Sequence, residues 1–185
     1  MTGALAPVWR NRAIGLAIAV VIFAADQWVK YFVVDVLGLT ERGDHQDLLP
    51  FFDFTRENNY GVSLGLFRAT SMEMRWILVA VTALIAGVVL VWMLRERLMG
   101  DIVALALVLG GALGNIVDRF TLGYVIDYAD LHFGTFRPFL IFNVADAAIT
   151  IGVVIILARS LFMREKPASD QTNRSIADPT RGDIS

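Results

Sequence analysis

The chain of 185 residues contains no cysteine, which excludes disulfides, thiol nucleophiles and thiolate metal sites. Histidine is nearly absent too. His45 and His132 are the only two, so a histidine-rich zinc site is unavailable. No cluster of Lys and Arg marks a nucleic-acid surface. The net charge of −2 excludes little, because in a chain this apolar the placement of charge matters more than its sum.

What the chain has in excess is hydrophobicity: 56% of residues are apolar and the mean hydropathy is +0.60, well above an ordinary soluble domain. Four stretches approach the roughly 20 residues needed to cross a bilayer, at 13–36, 75–94, 102–117 and 139–162. The third is short as a purely apolar run, so polar residues are expected to complete its outer end. Arg10 and Arg12 before the first stretch resemble the start of a cleaved signal peptide. The run continues past Asp26 through Trp28, Val29, Tyr31, Phe32, Val33 and Val34, too long for such a segment. Arg10 and Arg12, then Arg95 and Arg97, then Arg159, Arg164 and Lys166 fall on one side of a four-span plan, predicting that side and both termini to be cytoplasmic.

The opposite side carries outer loops at 37–74 and 118–138. The first holds Glu41, Asp44, Asp47, Asp53, Glu57 and Glu73 against Arg42, Arg56 and Arg68, an acidic balance that fits the outer face. Around 48–55 it is rich in Phe and Leu and bounded by Pro50 and Asn58-Asn59, which predicts short strands. Apolar and aromatic residues in both loops suggest that they lie on the bilayer surface. Trp76 and Trp92 read as interfacial anchors, and Asp130 and His132 as solvated loop residues. From Pro167 onward the chain is polar, mixed in charge and aperiodic, predicting a disordered cytoplasmic tail at 167–185 behind a single membrane domain at 1–166.

Ionisable residues inside apolar segments are costly and mark function by default. At about 1.5 Å per residue, Asp118 falls roughly 24 Å along outward-running span three. Asp26 falls about 20 Å along span one, and Asp146 only about 10 Å below Phe139 on inward-running span four. All three share one depth zone. Asn115, Asp118 and Arg119 sit at i, i+3 and i+4, and Asn143 and Asp146 repeat the i, i+3 spacing. Asp26 and Lys30, at i and i+4, can neutralise each other, and Arg119 can balance Asp118. Gly110, Gly111, Ala112 and Gly114 make a small-residue surface for close helix approach.

The stretch Gly110-Gly111-Ala112-Leu113-Gly114-Asn115-x-x-Asp118-Arg119, with Val125-Ile126-Asp127-Tyr128 and Phe142-Asn143-Val144-Ala145-Asp146, resembles the lipoprotein signal peptidases (signal peptidase II), bacterial intramembrane aspartyl proteases. Asp26-Gln27-x-x-Lys30 and Asn59-x-Gly61 match two further family elements, and the likeness runs from Asp26 to about Arg159. Val62, Ser63 and Leu64 depart from the family's usual Ala-Ala-Phe, which bears on the shape of the substrate pocket and not on the chemistry. The resemblance implies Asp127 and Asp146 as the catalytic pair. It implies Asn59, Gly111, Asn115, Asp118, Arg119, Asn143 and Ala145 as supporting or substrate-contacting positions, and Asp26 and Lys30 as positions that matter for fold or activity; as a lone Asp–Lys pair the last two read as a structural polar pair. It also implies a substrate: a prolipoprotein bearing a diacylglyceryl-modified cysteine, cut on the N-terminal side of that cysteine.

Two carboxylates held close cannot both ionise easily, so they share a proton. The ionised member serves as general base on a water, and the protonated member polarises the scissile carbonyl. Apparent pKa values then belong to the pair. No metal and no organic cofactor are required. The expected partners are the lipidated substrate and membrane lipids, with no nucleic acid, and the protein is expected to be a monomer in the bacterial cytoplasmic (inner) membrane with its active site near the outer face. A small proton-coupled transporter is the rival reading, but it predicts carboxylates spread across the bilayer and internal repeats. A membrane scaffold gives no reason for two Asn-x-x-Asp faces. The fold expected is an all-α membrane protein: four transmembrane helices, a small extracytoplasmic β-containing loop region and a short surface helix.

Overall fold

Long apolar runs without water to satisfy their backbone must satisfy it internally, and the four runs of this chain do so as helices. The computed structural model describes residues 8–61, 72–134 and 136–162. Helix α1 spans Val8–Tyr31 and continues through one π turn, Phe32–Val36; α2 spans Met72–Arg95, α3 Met99–Thr121 and α4 Val144–Phe162. Each is long and apolar enough to cross a membrane. Strands β1 (His45–Leu49), β2 (Phe52–Asn59) and β3 (Val125–Leu131) form an antiparallel sheet in the order β1-β2-β3 at one end of the bundle.

Helix α3 is central and packs against the other three. Its glycines make that possible. A Cβ on Gly110 would stand 2.6 Å from the Ala19 carbonyl of α1, and one on Gly111 would run into the Ala145 carbonyl of α4. On α4, a Cβ on Gly152 would stand 2.6 Å from the Ala104 carbonyl. Lipid supplies no hydrophobic drive between helices, so such close backbone contact carries the packing. Met93, Ile102, Leu105 and Leu109 fill the space between α1, α2 and α3, while Leu84, Val88, Leu157 and Leu161 point outward into the surroundings that lipid would occupy. Trp76 and Trp92 are about half-exposed at opposite ends of α2, as interfacial anchors would be.

A second apolar cluster joins the π turn to the sheet: Val33 and Leu39 pack with Ile126, Tyr128 and Ala129. The sheet thus sits on the end of the bundle rather than beside it. Arg75 at the start of α2 closes the neighbouring end of α3, its Nε donating to the Arg119 carbonyl at 2.8 Å and its Nη2 to the Phe120 carbonyl at 2.5 Å. A cation on the last free carbonyls of a helix also complements the helix dipole.

Several expected boundaries shift. The fourth helix starts at Val144, not at 139: Phe142 is extended and pairs with Ala129 of β3. Asp146 therefore lies in the first turn of α4 rather than two turns along it. Residues 125–131, read as loop, form a strand, and Asn58-Asn59 belong to the end of β2 rather than bounding it. The strands of the first loop are longer than 48–55, and no separate surface helix occurs among the described residues. The Val62-Ser63-Leu64 departure and the 167–185 tail lie outside the described residues.

Candidate active site

The start of α4 has four backbone N–H groups with no helical partner, and what satisfies them builds the site. Val144 N donates to the Tyr128 hydroxyl at 3.2 Å, and Ala145 N to Asp26 Oδ1 at 3.0 Å. Asp146 N donates to Asn143 Oδ1 at 2.8 Å, and the first bond of the helix itself runs from Ala147 N to the Asn143 carbonyl at 3.2 Å. Asn143 is thus the N-cap of α4, and its i, i+3 relation to Asp146 is a capping relation. The other end of its side chain faces β3. Asn143 Nδ2 donates to Asp127 Oδ1 at 2.7 Å, to the Ile126 carbonyl at 3.2 Å and to Asn115 Oδ1 at 3.3 Å.

The two aspartates are joined through amides. Asn59 Nδ2, at the end of β2, donates to Asp127 Oδ2 at 3.1 Å, so both oxygens of Asp127 accept from asparagines. Asn115 Nδ2 on α3 donates to Asp146 Oδ1 at 2.9 Å. No cation bonds to either carboxylate among the described ion pairs. Asp127 is 3% exposed, whereas Asp146 is only half-buried. Burial pushes the Asp127 carboxyl up to about 7, and the nearby Asp146 carboxylate adds to the rise. A buried carboxyl raised towards neutral pH beside a more open carboxylate has the chemical makings of a general acid and a general base.

Behind the dyad lies a separate charged cluster. Lys30 Nζ stands 2.6 Å from Asp26 Oδ2 and 2.7 Å from Asp118 Oδ2. Gln27 Nε2 donates to Asp118 Oδ1 at 3.0 Å and to Asp26 Oδ2 at 3.2 Å. Asp118 Oδ2 also accepts from Ile126 N at 3.1 Å. The expected pairing of Asp118 with Arg119 is not found, because adjacent helical residues point about 100° apart. Arg119 turns instead to the Asn115 carbonyl at 3.3 Å and the Gly61 carbonyl at 2.9 Å, leaving its buried Nε without a partner. Asp26 and Lys30 do pair, with Asp118 as an unforeseen third member.

The remaining site positions act through backbone. Gly111 lets α4 approach at Ala145, and a Cβ on Gly114 would run into the Asp26 carboxylate. Gln27 and Tyr128, given no role from sequence, hold the charged cluster and the α4 cap. Asp130 and His132 are not solvated loop residues. Asp130 is 1% exposed, accepting from Arg137 Nε at 3.1 Å and Thr55 Oγ1 at 3.2 Å, and His132 Nε2 lies 2.7 Å from Asp53 Oδ2. No set of three or more His, Cys, Asp or Glu side chains converges as a metal site among the described residues.

The sequence and the fold both match known proteins. A family model described as signal peptidase (SPase) II matches residues 18–162. A lipoprotein signal peptidase of Sphingopyxis alaskensis is 49% identical over 176 residues, covering 95% of this chain and 99% of the relative. One from Rhizorhabdus wittichii is 50% identical over 155 residues, covering 84% of this chain and 90% of the relative. A solved structure described as a bacterial membrane enzyme, obtained by the in meso method at 2.3 Å resolution, superposes with a TM-score of 0.70 at 27% identity, covering 83% of this chain and 93% of that one.

Proposed function

The chain belongs to the signal peptidase II family, and from that premise we propose that it removes the signal peptide from diacylglyceryl-modified prolipoproteins by an aspartyl mechanism. The observation that carries the mechanism is the contrast in surroundings of Asp127 and Asp146: amide donors on both, no bonded cation on either, deep burial on one only.

Asp127, raised to about 7 by burial, holds the shared proton, and the more open Asp146 is the general base. Asp146 takes a proton from a water, whose oxygen bonds to the carbonyl carbon on the N-terminal side of the lipidated cysteine. Asp127 donates its proton to the carbonyl oxygen as the tetrahedral intermediate forms. Collapse breaks the C–N bond, the proton now on Asp146 passes to the leaving amine, and Asp127 regains its proton from the intermediate's hydroxyl. Asn115 and Asn143 keep each carboxylate in register without adding a charge that would drive off the shared proton.

Positive charge supports the orientation. Arg10, Arg12, Arg95, Arg97 and Arg159 gather at the bundle end away from the sheet, which the positive-inside rule makes cytoplasmic. The sheet and the dyad then stand at the outer face, where a signal helix can lie among the spans while its lipid stays in the outer leaflet. The test is turnover of a lipidated prolipoprotein by purified Asp127→Asn and Asp146→Asn proteins. Each is expected to lose roughly 10³-fold or more while staying folded; near wild-type turnover by either rejects the dyad.

A further inference from the structure

Lys30 touches neither aspartate of the dyad, yet its two partners reach the backbone beside both. Asp26 Oδ1 accepts from the N–H of Ala145, the residue before Asp146. Asp118 Oδ2 accepts from the N–H of Ile126, the residue before Asp127. The ammonium bridges these two carboxylates at 2.6 and 2.7 Å, and Lys30, Asp26 and Asp118 are all at most 3% exposed. We propose that Lys30 is a positioning residue for the reaction: through Asp26 and Asp118 it yokes the start of α4 to β3 and so sets the separation of Asp146 and Asp127. The proposal rests on the dyad reading above.

An i, i+4 ion pair that merely neutralised a charge inside a span would need one carboxylate and no contact with the catalytic elements. Here there are two carboxylates, and each has an oxygen on an amide adjacent to a dyad residue. Without the ammonium, Asp26 and Asp118 face each other as like charges in a poorly solvated setting and repel. Moving apart, they would draw Ala145 and Ile126 with them. Gln27 bridges the same two carboxylates but brings no charge to hold them. Gly114 supports the same geometry, since any side chain there would collide with Asp26. A dyad that shares one proton depends steeply on its separation, and a displacement of about 1 Å can cost roughly 100-fold in rate.

The test uses the full chain, purified and assayed on a lipidated prolipoprotein, with kcat expressed per folded molecule. Lys30→Met is expected to lower kcat roughly 10- to 100-fold and leave KM within about twofold. Lys30→Met/Asp118→Asn conserves the cluster's single net negative charge, so it guards against a fold failure caused by an uncompensated carboxylate. It retains an oxygen for Ile126 N but has neither the bridging cation nor the like-charge repulsion, so the two elements are untied without being driven apart, and a smaller loss of kcat, about 10-fold, is expected. Wild-type kcat in either folded variant, with only a lowered Tm, overturns the proposal. Failure of the charge-conserving variant to fold also overturns it, by assigning Lys30 to the fold alone. Asp127→Asn is assayed alongside. If it is inactive while the Lys30 variants turn over normally, only the yoke falls; if it is active, the dyad reading falls and takes the yoke with it.

Discussion

Two pairs of aspartates stand at the same end of this bundle, and they are built oppositely. Asp26 and Asp118 share a lysine, a glutamine and two backbone amides. Asp127 and Asp146 share three asparagines and no cation. A cation between two carboxylates favours both charges, so that pair is suited to holding structure in place. Amides donate to a carboxylate without adding a positive charge, so burial and the neighbouring Asp146 still push Asp127 up to about 7. Burial alone does not distinguish the two: Asp26, Asp118 and Asp127 are all almost fully enclosed. What each carboxylate is given as a partner decides whether it can do proton chemistry.

The same change at all four positions is the sharpest way to break this contrast. Carboxylate-to-amide replacement at Asp127 or Asp146 should cost roughly 10³-fold or more in turnover, whereas at Asp26 or Asp118 the cost should stay near 10- to 100-fold, acting through position alone. Equal losses at all four would erase the distinction. Asn143→Ala comes next, at about 100-fold. It removes the donor to Asp127 Oδ1 and the cap of Asp146 N together, and should also lower stability by about 1 kcal/mol.

The pH profile separates the pairs by a smaller effect. Asp127 is raised from 3.8 to about 7, so it is protonated below that pH and ionised above it. Turnover at saturating substrate should fall about tenfold per pH unit above about 7 as the acid is lost. The linked stability has the same sign. The folded pKa exceeds the unfolded one, so the protonated form's stability is present below about 4 and is lost as pH rises through about 7. Asp118→Asn should keep this alkaline limb where it is. A wild-type profile flat to pH 9 would remove Asp127 as the proton holder.

Spacing within one helix made half of this contrast legible. Asn115 with Asp118, and Asn143 with Asp146, were readable because i, i+3 residues share a helix face, and Asp26 with Lys30 because i, i+4 residues do. The four spans were legible from length and hydropathy. The other half depends on contacts that no local period encodes: Asp26 meets Ala145 across 119 positions, and Lys30 reaches Asp118 on another helix. Adjacency misled at Asp118-Arg119, where neighbours in sequence diverge around the helix. Asp127 falls in a segment that Gly123 and Pro138 punctuate as loop, although Val125, Ile126 and Tyr128 around it are the β-branched and aromatic types that favour a strand. Hydropathy alone cannot place the start of α4, because Phe139, Leu140, Ile141 and Phe142 are as apolar as the helix they precede, yet Phe142 bonds to β3.

A third carboxylate–cation pair supplies the smallest effect and a control on distance. Arg159 Nε lies 2.6 Å from Asp101 Oδ1, as close as Lys30 lies to Asp26, and a second bond to Oδ2 at 3.2 Å makes the contact bidentate. It joins α3 to α4 at the end of the bundle away from the sheet, and both side chains are about a quarter exposed. Solvent screening leaves such a pair worth little, and among the described hydrogen bonds neither partner reaches the dyad or its backbone. Asp101→Asn should therefore lower Tm by only a few degrees and leave kcat within about twofold. A loss matching that of Asp118→Asn would mean that any tie between α3 and α4 sets the rate, and the special standing of the Lys30 cluster would go; an unchanged kcat beside a slowed Lys30 variant locates the effect in what Asp26 and Asp118 touch, not in how tightly they are paired.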